Sequence, residues 1–343
     1  MSDLIRTIVR QVVDGAAVTR SQAEQLVRID RRHLPELFAG ASRIRQEYLG
    51  PKARCCSIVA SKVGLCDQDC AFCSQSAYYR THVAGGRTLT SQDVLAAARE
   101  SADNGAQSFG IVNSGLGPSD DEIEEWGNVI RAIRREGRVR ACASLGVLTA
   151  PQAQRLAEAG VQRYNHNLQT SRRHFSSIVT THTYDDRLQT LRNLRAAGIE
   201  LCCGALFGMG ETWNDRLDLA FELREVNPEV VPINFLIPIP GTPLEHSRAL
   251  EPIECLRIIA VYRFILPSQH LNIAGGREVN LRDLQSWMFL AGADSFMMGN
   301  YLTTCGRPVA EDLRMISDLG LELEPYLQPA AAPDEAHRSH TPV

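Results

Sequence analysis

Apolar positions in the first 50 residues recur with helical spacing. Leu4, Ile5, Ile8, Val9 and Val12 fall on one face, which predicts an N-terminal helical extension over residues 1–50. After Pro51 the rhythm changes, and short apolar runs of strand type alternate with amphipathic stretches. The expected strands are Cys55–Ser61, Gln107–Val112, Val139–Ser144, Gln162–Asn167, Glu200–Phe207, Val230–Ile237, Leu271–Ala274 and Ser295–Met298. Between them the pattern predicts helices at Ser91–Ala102, Asp120–Arg135, Pro151–Glu158, Tyr184–Ala197, Thr212–Val226, Glu251–Leu266 and Leu281–Ala291. Thr90 and Ser91 ahead of Asp93 read as a helix start, and Gly105, Gly160, Gly198 and Gly292 as helix stops. Such alternation demands a parallel sheet with helices outside it, and eight strands with seven intervening helices predict a (β/α)₈ barrel over residues 51–325. A doubly wound open sheet is the alternative. It is weakened because no G-x-G-x-x-G joins the first strand to its helix. Residues 326–343, rich in Pro and Ala, read as a disordered tail.

Composition adds exclusions. A chain of 343 residues with 44% hydrophobic and 22% charged residues is ordinary for a soluble globular protein. A formal charge of −4 gives no field-driven affinity for nucleic acid or anionic membrane. No apolar run approaches the ~18 residues that span a bilayer, and the N-terminus interrupts its apolar residues with charge. Ten cysteines in that setting point to ligands or catalysis in a reducing, cytoplasmic compartment rather than to disulfides.

The cysteines are not scattered evenly. Cys66, Cys70 and Cys73 form a C-x₃-C-x₂-C triplet directly after the first strand. Three close thiolates hold three corners of a cubic iron–sulfur cluster, and with no fourth cysteine nearby one iron is left open to a small molecule. The competing reading is structural zinc, which wants four ligands in paired sets; His82 is the nearest residue that could complete one.

In a barrel, chemistry gathers at the C-terminal ends of strands. Asn113 and Ser114, Cys142, Asn165 and Asn167, Cys202 and Cys203, and Asn234 all lie in or at the ends of successive strands. Each alone has an ordinary explanation, a cysteine as core packing and an asparagine as a partner for backbone. His166, between two asparagines, alternates to the opposite face and reads as a packing residue.

From about Cys56 to Gly320 the chain resembles the biotin synthase family of the radical S-adenosylmethionine (SAM) superfamily. The triplet carries the superfamily resemblance. Tyr164-Asn-His-Asn-Leu168, Thr180-Thr-His-Thr-Tyr-Asp-Asp-Arg187, Gly208-Met-Gly-Glu-Thr212, Val231-Pro-Ile-Asn234, Gly241-Thr-Pro243 and Ala274-Gly-Gly-Arg-Glu278 carry the narrower one. It implies a sulfurtransferase that converts dethiobiotin to biotin. A [4Fe–4S] cluster on Cys66, Cys70 and Cys73 would bind and cleave SAM, and an auxiliary iron–sulfur cluster deeper in the barrel would give the sulfur. By the same resemblance Asn165 and Asn234 contact dethiobiotin, Asn167 the SAM ribose and Arg187 its carboxylate. A flavodoxin- or ferredoxin-type electron donor and a homodimer are also implied.

Three positions depart from the family pattern. Its usual [2Fe–2S] cluster takes three cysteines and an arginine. Cys142 and Cys202 match two of the cysteines, but Gly110 stands at the third and Asn272 at the arginine. Gln169 replaces an acidic residue near the ribose. Cys56 and either Cys202 or Cys203 are the candidate replacements, implying a remodelled, larger auxiliary cluster on Cys56, Cys142 and Cys202 or Cys203. Since neighbours in a strand alternate faces, one of each adjacent pair points inward. A radical SAM relative without sulfur insertion, or a structural metal or electron-transfer protein, stand as the alternatives.

Overall fold

The computed structural model describes residues 2–83 and 85–327. β1 (Arg54–Val63) carries a short antiparallel partner, β2 (Arg87–Thr88), at its far end. Then follow β3 (Ser108–Asn113), β4 (Arg140–Ser144), β5 (Arg163–Asn165), β6 (Glu200–Cys202), β7 (Ala205–Phe207), β8 (Val230–Phe235), β9 (His270–Ile273) and β10 (Ser295–Met297), all parallel to their neighbours. β10 returns to pair with β1 through Arg54↔Ser295 and Cys56↔Met297, which closes the barrel. All eight expected strands are present, and the open-sheet alternative is excluded by that closure.

One stave is broken. The stretch expected as a single strand from Glu200 to Phe207 is β6 and β7, which pair with successive parts of β8 and are separated at Cys203–Gly204. A Cβ at Gly204 would overlap the Pro232 carbonyl, so only glycine lets the backbone pass this close. The expected helix Leu281–Ala291 is also not continuous. It is an α-helical turn at Arg277–Leu281, a 3₁₀ turn at Arg282–Leu284 and a short helix at Trp287–Leu290, with Arg282 at φ +50° interrupting the run.

Helix starts follow the sequence closely. Thr90, Ser119, Thr149, Thr183 and Thr212 each cap a helix and exchange bonds with the residue three positions on, respectively Asp93, Glu122, Gln152, Asp186 and Asp215. Each such cap contributes about 1 kcal/mol. The N-terminal extension forms helices Ser2–Val13, Arg20–Val27 and Leu34–Leu49, which pack on the outer helices Trp213–Val226 and Pro252–Ile265. Helix Pro252–Ile265 is therefore covered on both sides, which explains why its sequence is apolar nearly all round.

At the other end, Leu323 bridges to Ala53 and the Glu324 amide donates to the Ala53 carbonyl at 2.8 Å. Tyr326 reaches Gln162 at 3.3 Å beneath the barrel. Tyr326, placed in the expected tail, is thus bonded to the barrel. The remainder of that expectation, residues 328–343, lies outside the described residues.

Candidate active site

The period-2 alternation of the strands sorts the interior into levels. A cavity of about 580 Å³ runs through the barrel and is lined chiefly, though not strictly, by alternate strand residues. On β4 these are Arg140, Cys142 and Ser144, and on β5 Arg163 followed by Asn165, with Asn167 just beyond the strand. On β1 they include Arg54, Cys56 and Ile58.

At the upper mouth, the loop after β1 folds back on itself. The Cys66 amide donates to Gln75 O and the Ala77 amide to Cys66 O, at 2.9 and 2.8 Å. Cys66, Cys70 and Cys73 all line the cavity. Burial pushes the Cys70 thiol up to about 12 and raises Cys73 as well. Such thiols ionise when a metal takes the proton's place. Asp69 ties this loop to its neighbour, its carboxylate accepting the Thr180 and Thr181 amides at 2.9 and 3.2 Å. Among the described residues no three His, Cys, Asp or Glu side chains gather tightly enough to hold one metal ion. His82 is exposed, lies off the cavity and sits 3.5 Å from the Thr303 carbonyl, so it does not complete the triplet.

Arg187 stands beside the triplet. It donates from Nη1 to the Asn167 carbonyl at 2.7 Å and from Nη2 to His182 Nε2 at 2.8 Å. His182 therefore carries its proton on Nδ1, which donates to Gln68 Oε1 at 2.7 Å. Burial, then the Arg187 charge, depresses His182 to about 4, so it is a neutral acceptor at pH 7.

Midway down, the asparagines are already engaged. Asn165 Nδ2 donates to Asn167 Oδ1 at 3.1 Å and to Cys202 O at 3.2 Å, and its Oδ1 accepts from Ser144 Oγ at 3.3 Å. Asn167 Oδ1 also accepts the Gly204 amide at 3.0 Å. Asn234 Nδ2 donates to Ala205 O at 3.0 Å while its Oδ1 accepts the Gly275 amide at 2.9 Å. The ordinary explanation of strand-end asparagines thus holds here, and each still presents an amide edge to the cavity. Gln169 lines the cavity with φ +70°, anchored through its backbone to Gly204 and Leu206. Asn113, noted only as a strand end in the sequence, lines the same wall and leaves its buried Nδ2 without a partner.

Below them lies a second set of thiols. Cys56, Cys142 and Cys202 line the cavity from β1, β4 and β6. Burial raises all three, Cys202 to about 11. Asn272 donates from Nδ2 to Cys56 Sγ at 3.5 Å and accepts from Ser295 Oγ at 2.8 Å. Gly110 faces the same space, but a Cβ there would meet Ile58 Cγ2 at 3.2 Å and Cys142 Cβ at 3.9 Å. Ile58 and Cys56 of β1 fill the side of the wall where the usual third cysteine would stand. Cys203 does not belong to this set. Alternation turns it outward, where it is wholly buried in the core and off the cavity. Cys55 also borders the cavity, but it is buried and its thiol donates to Gly105 O at 3.3 Å. His166 is buried off the cavity, as expected of a packing residue.

The floor is charged, and sequence reasoning passed over it. Arg163 donates to Glu200 from Nε and Nη2 at 3.1 and 2.7 Å, and Arg140 pairs with the same carboxylate. The signal was present, since both arginines stand two residues before a residue recognised as inward-facing.

The donor sets fit iron–sulfur clusters at both levels, with three thiols each and a partly unsatisfied polar wall between. The fold and upper triplet define a radical SAM enzyme. The model of the Radical SAM superfamily matches residues 61–223, and that of the Biotin and Thiamin Synthesis associated domain residues 232–322. The biotin synthase of Trichlorobacter lovleyi is 49% identical over 92% of this chain and 96% of its own. That of Carboxydothermus hydrogenoformans is 43% identical over 94% of this chain and 100% of its own. The chain belongs to the biotin synthase family. Among solved structures, methylornithine synthase superposes with a TM-score of 0.81 at 18% identity, covering 92% of this chain and 97% of that one, a likeness of fold alone.

Proposed function

We propose that this enzyme converts dethiobiotin to biotin by radical SAM-dependent sulfur insertion. The observation that carries the reading is one cavity with two separate three-cysteine sets and a belt of asparagines between them. A substrate held in that belt lies between the source of the radical and the source of the sulfur.

The [4Fe–4S] cluster with bound SAM supplies a 5′-deoxyadenosyl radical, and the auxiliary cluster supplies sulfur. The chain's own work is to bind, orient and exclude water. In this reading Cys66, Cys70 and Cys73 hold the first cluster, and Arg187 meets the SAM carboxylate. Neutral His182 keeps Arg187 aimed without cancelling its charge. Asn167 and Gln169 serve the ribose hydroxyls, which an amide can bond without an acidic group. Asn165 and Asn234 offer their remaining amide capacity to the ureido ring of dethiobiotin. Cys56, Cys142 and Cys202 hold the auxiliary cluster, replacing the usual set that Gly110 and Asn272 cannot complete.

A flavodoxin- or ferredoxin-type protein would deliver the electron, and the enzyme would work as a cytoplasmic homodimer. No described helix is long and apolar enough to cross a membrane. We read residues 51–327 as the catalytic barrel and the preceding helices as its brace.

Anaerobic reconstitution with iron and sulfide counting, paired with a biotin assay, tests the reading. Substituting the upper triplet should leave iron bound at the lower set. A protein that makes 5′-deoxyadenosine from SAM with dethiobiotin but yields no biotin would instead be a relative without sulfur insertion.

A further inference from the structure

Beneath the lower thiols the barrel carries an unbalanced charge. Cys142 is level with Arg163 on the neighbouring strand, and Arg163 is level with Glu200 on the next. Cys202 follows Glu200 on the same face. Arg163 thus sits at the junction of two strands that each carry one of these thiols. Its side chain is 14% exposed, and its hydrogen bonds, from Nε and Nη2, both go to Glu200. Nη1 has no partner among the described residues.

Glu200 also accepts from Arg140, so two guanidinium groups share one carboxylate and one positive charge is left over. A lone strand arginine paired with a lone glutamate would be a neutral brace. An excess cation held against a sulfur-rich wall is not explained by bracing. Three thiolates and their cluster in a low-dielectric barrel require a compensating cation, and Asn272, which meets Cys56 from two strands away, is neutral.

We propose that Arg163, held by Glu200, is the cationic wall of the auxiliary site and sets the charge balance of the cluster bound there. The guanidinium enters from β5, beside Cys142 and Cys202, so the site does not need a cation at position 272. This rests on the reading that Cys56, Cys142 and Cys202 hold a cluster. Net charge around a cluster and hydrogen bonds to its sulfurs set its reduction potential. A nearby cation favours the more negative, reduced form.

The two members of the ion pair therefore have opposite effects, which a bracing role would not produce. The experiment uses the full chain with Cys66→Ala, Cys70→Ala and Cys73→Ala, so that the auxiliary cluster alone is observed. Its midpoint potential is measured by a spectroscopic redox titration, with iron and sulfide counted in parallel. Arg163→Met should shift the potential to more negative values and lower the retained iron. Arg163→Lys should lie between Arg163→Met and the parent. Glu200→Gln, which leaves both arginines uncompensated, should shift it to more positive values. Equal potentials in all variants, or shifts of the same sign from Arg163→Met and Glu200→Gln, would overturn the proposal. If Arg163→Met does not fold, the sign for Glu200→Gln and the size of the Arg163→Lys change decide it. A parent that retains no iron overturns the cluster reading itself, and this inference with it.

Discussion

The two cysteine sets that line the barrel are built by opposite constructions. The upper set lies within one loop of eight residues, Cys66 to Cys73, and its geometry is made by local bonds such as Cys66 to Gln75. The lower set comes from three strands far apart in sequence, and only the closed barrel brings Cys56, Cys142 and Cys202 together. A loop can present an open iron to a soluble molecule at the mouth. A strand wall fixes a group deep inside, away from water. The upper set is therefore legible as a motif in one short run of sequence, whereas the proposed lower set, with Cys56 in place of a cysteine at Gly110, is legible only through the closed barrel.

The sharpest way to break the comparison is to remove one set and watch the other. Alanine at Cys66, Cys70 or Cys73 should abolish SAM cleavage while auxiliary iron persists. Alanine at Cys56, Cys142 or Cys202 should abolish biotin formation while SAM cleavage persists, as followed by chromatography of 5′-deoxyadenosine. Cys203→Ala should retain iron at both levels, because that thiol faces the core. Loss of auxiliary iron in Cys203→Ala would mean that the lower set is wrongly drawn.

The next largest effect concerns the wall itself. Gly204→Ala should cost about 3 kcal/mol or more, since the Pro232 carbonyl must move to admit a methyl group. Denaturant unfolding measures that loss, and the same variant should weaken iron binding at neighbouring Cys202. Asn234→Ala strands the Gly275 amide and the Ala205 carbonyl, at about 1–3 kcal/mol. It should also raise KM for dethiobiotin. A stability loss with unchanged KM would confine Asn234 to a structural role.

The smallest effect belongs to the upper loop and depends on pH. His182 is depressed to about 4 from an ordinary 6.5, so the folded state resists its protonation. Its contribution to stability is complete above pH 6.5 and is lost as pH falls toward 4. His182→Asn should flatten the unfolding free energy across that window. An unchanged slope would show that Arg187 does not depend on a neutral His182.

Much of this was readable in the sequence. Strand positions followed from apolar runs bounded by glycine, and capping residues such as Thr90 and Thr183 marked helix starts directly. The break at Cys203–Gly204 was not legible, because the approach of the Pro232 carbonyl is a tertiary event. Nor was the interruption at Arg282, where apolar periodicity continues although the backbone does not. Inward-facing cysteines followed from alternation once the strand register was known, which decided between Cys202 and Cys203. Arg140 and Arg163 were missed because charge in a strand reads as a solvated edge until closure turns that face inward.

The pairing of β1 with β10 has a consequence for the order of events in the life of the chain. Arg54 meets Ser295 only when nearly all of the barrel has been synthesised, and contacts of such long range form late. Until then Cys142 and Cys202 can sit on an unfinished sheet, while Cys56 waits on an open edge. The lower thiol set is therefore completed by barrel closure. In the proposed reading, iron captured there with all three thiols would serve as a certificate that the polypeptide has reached its final topology.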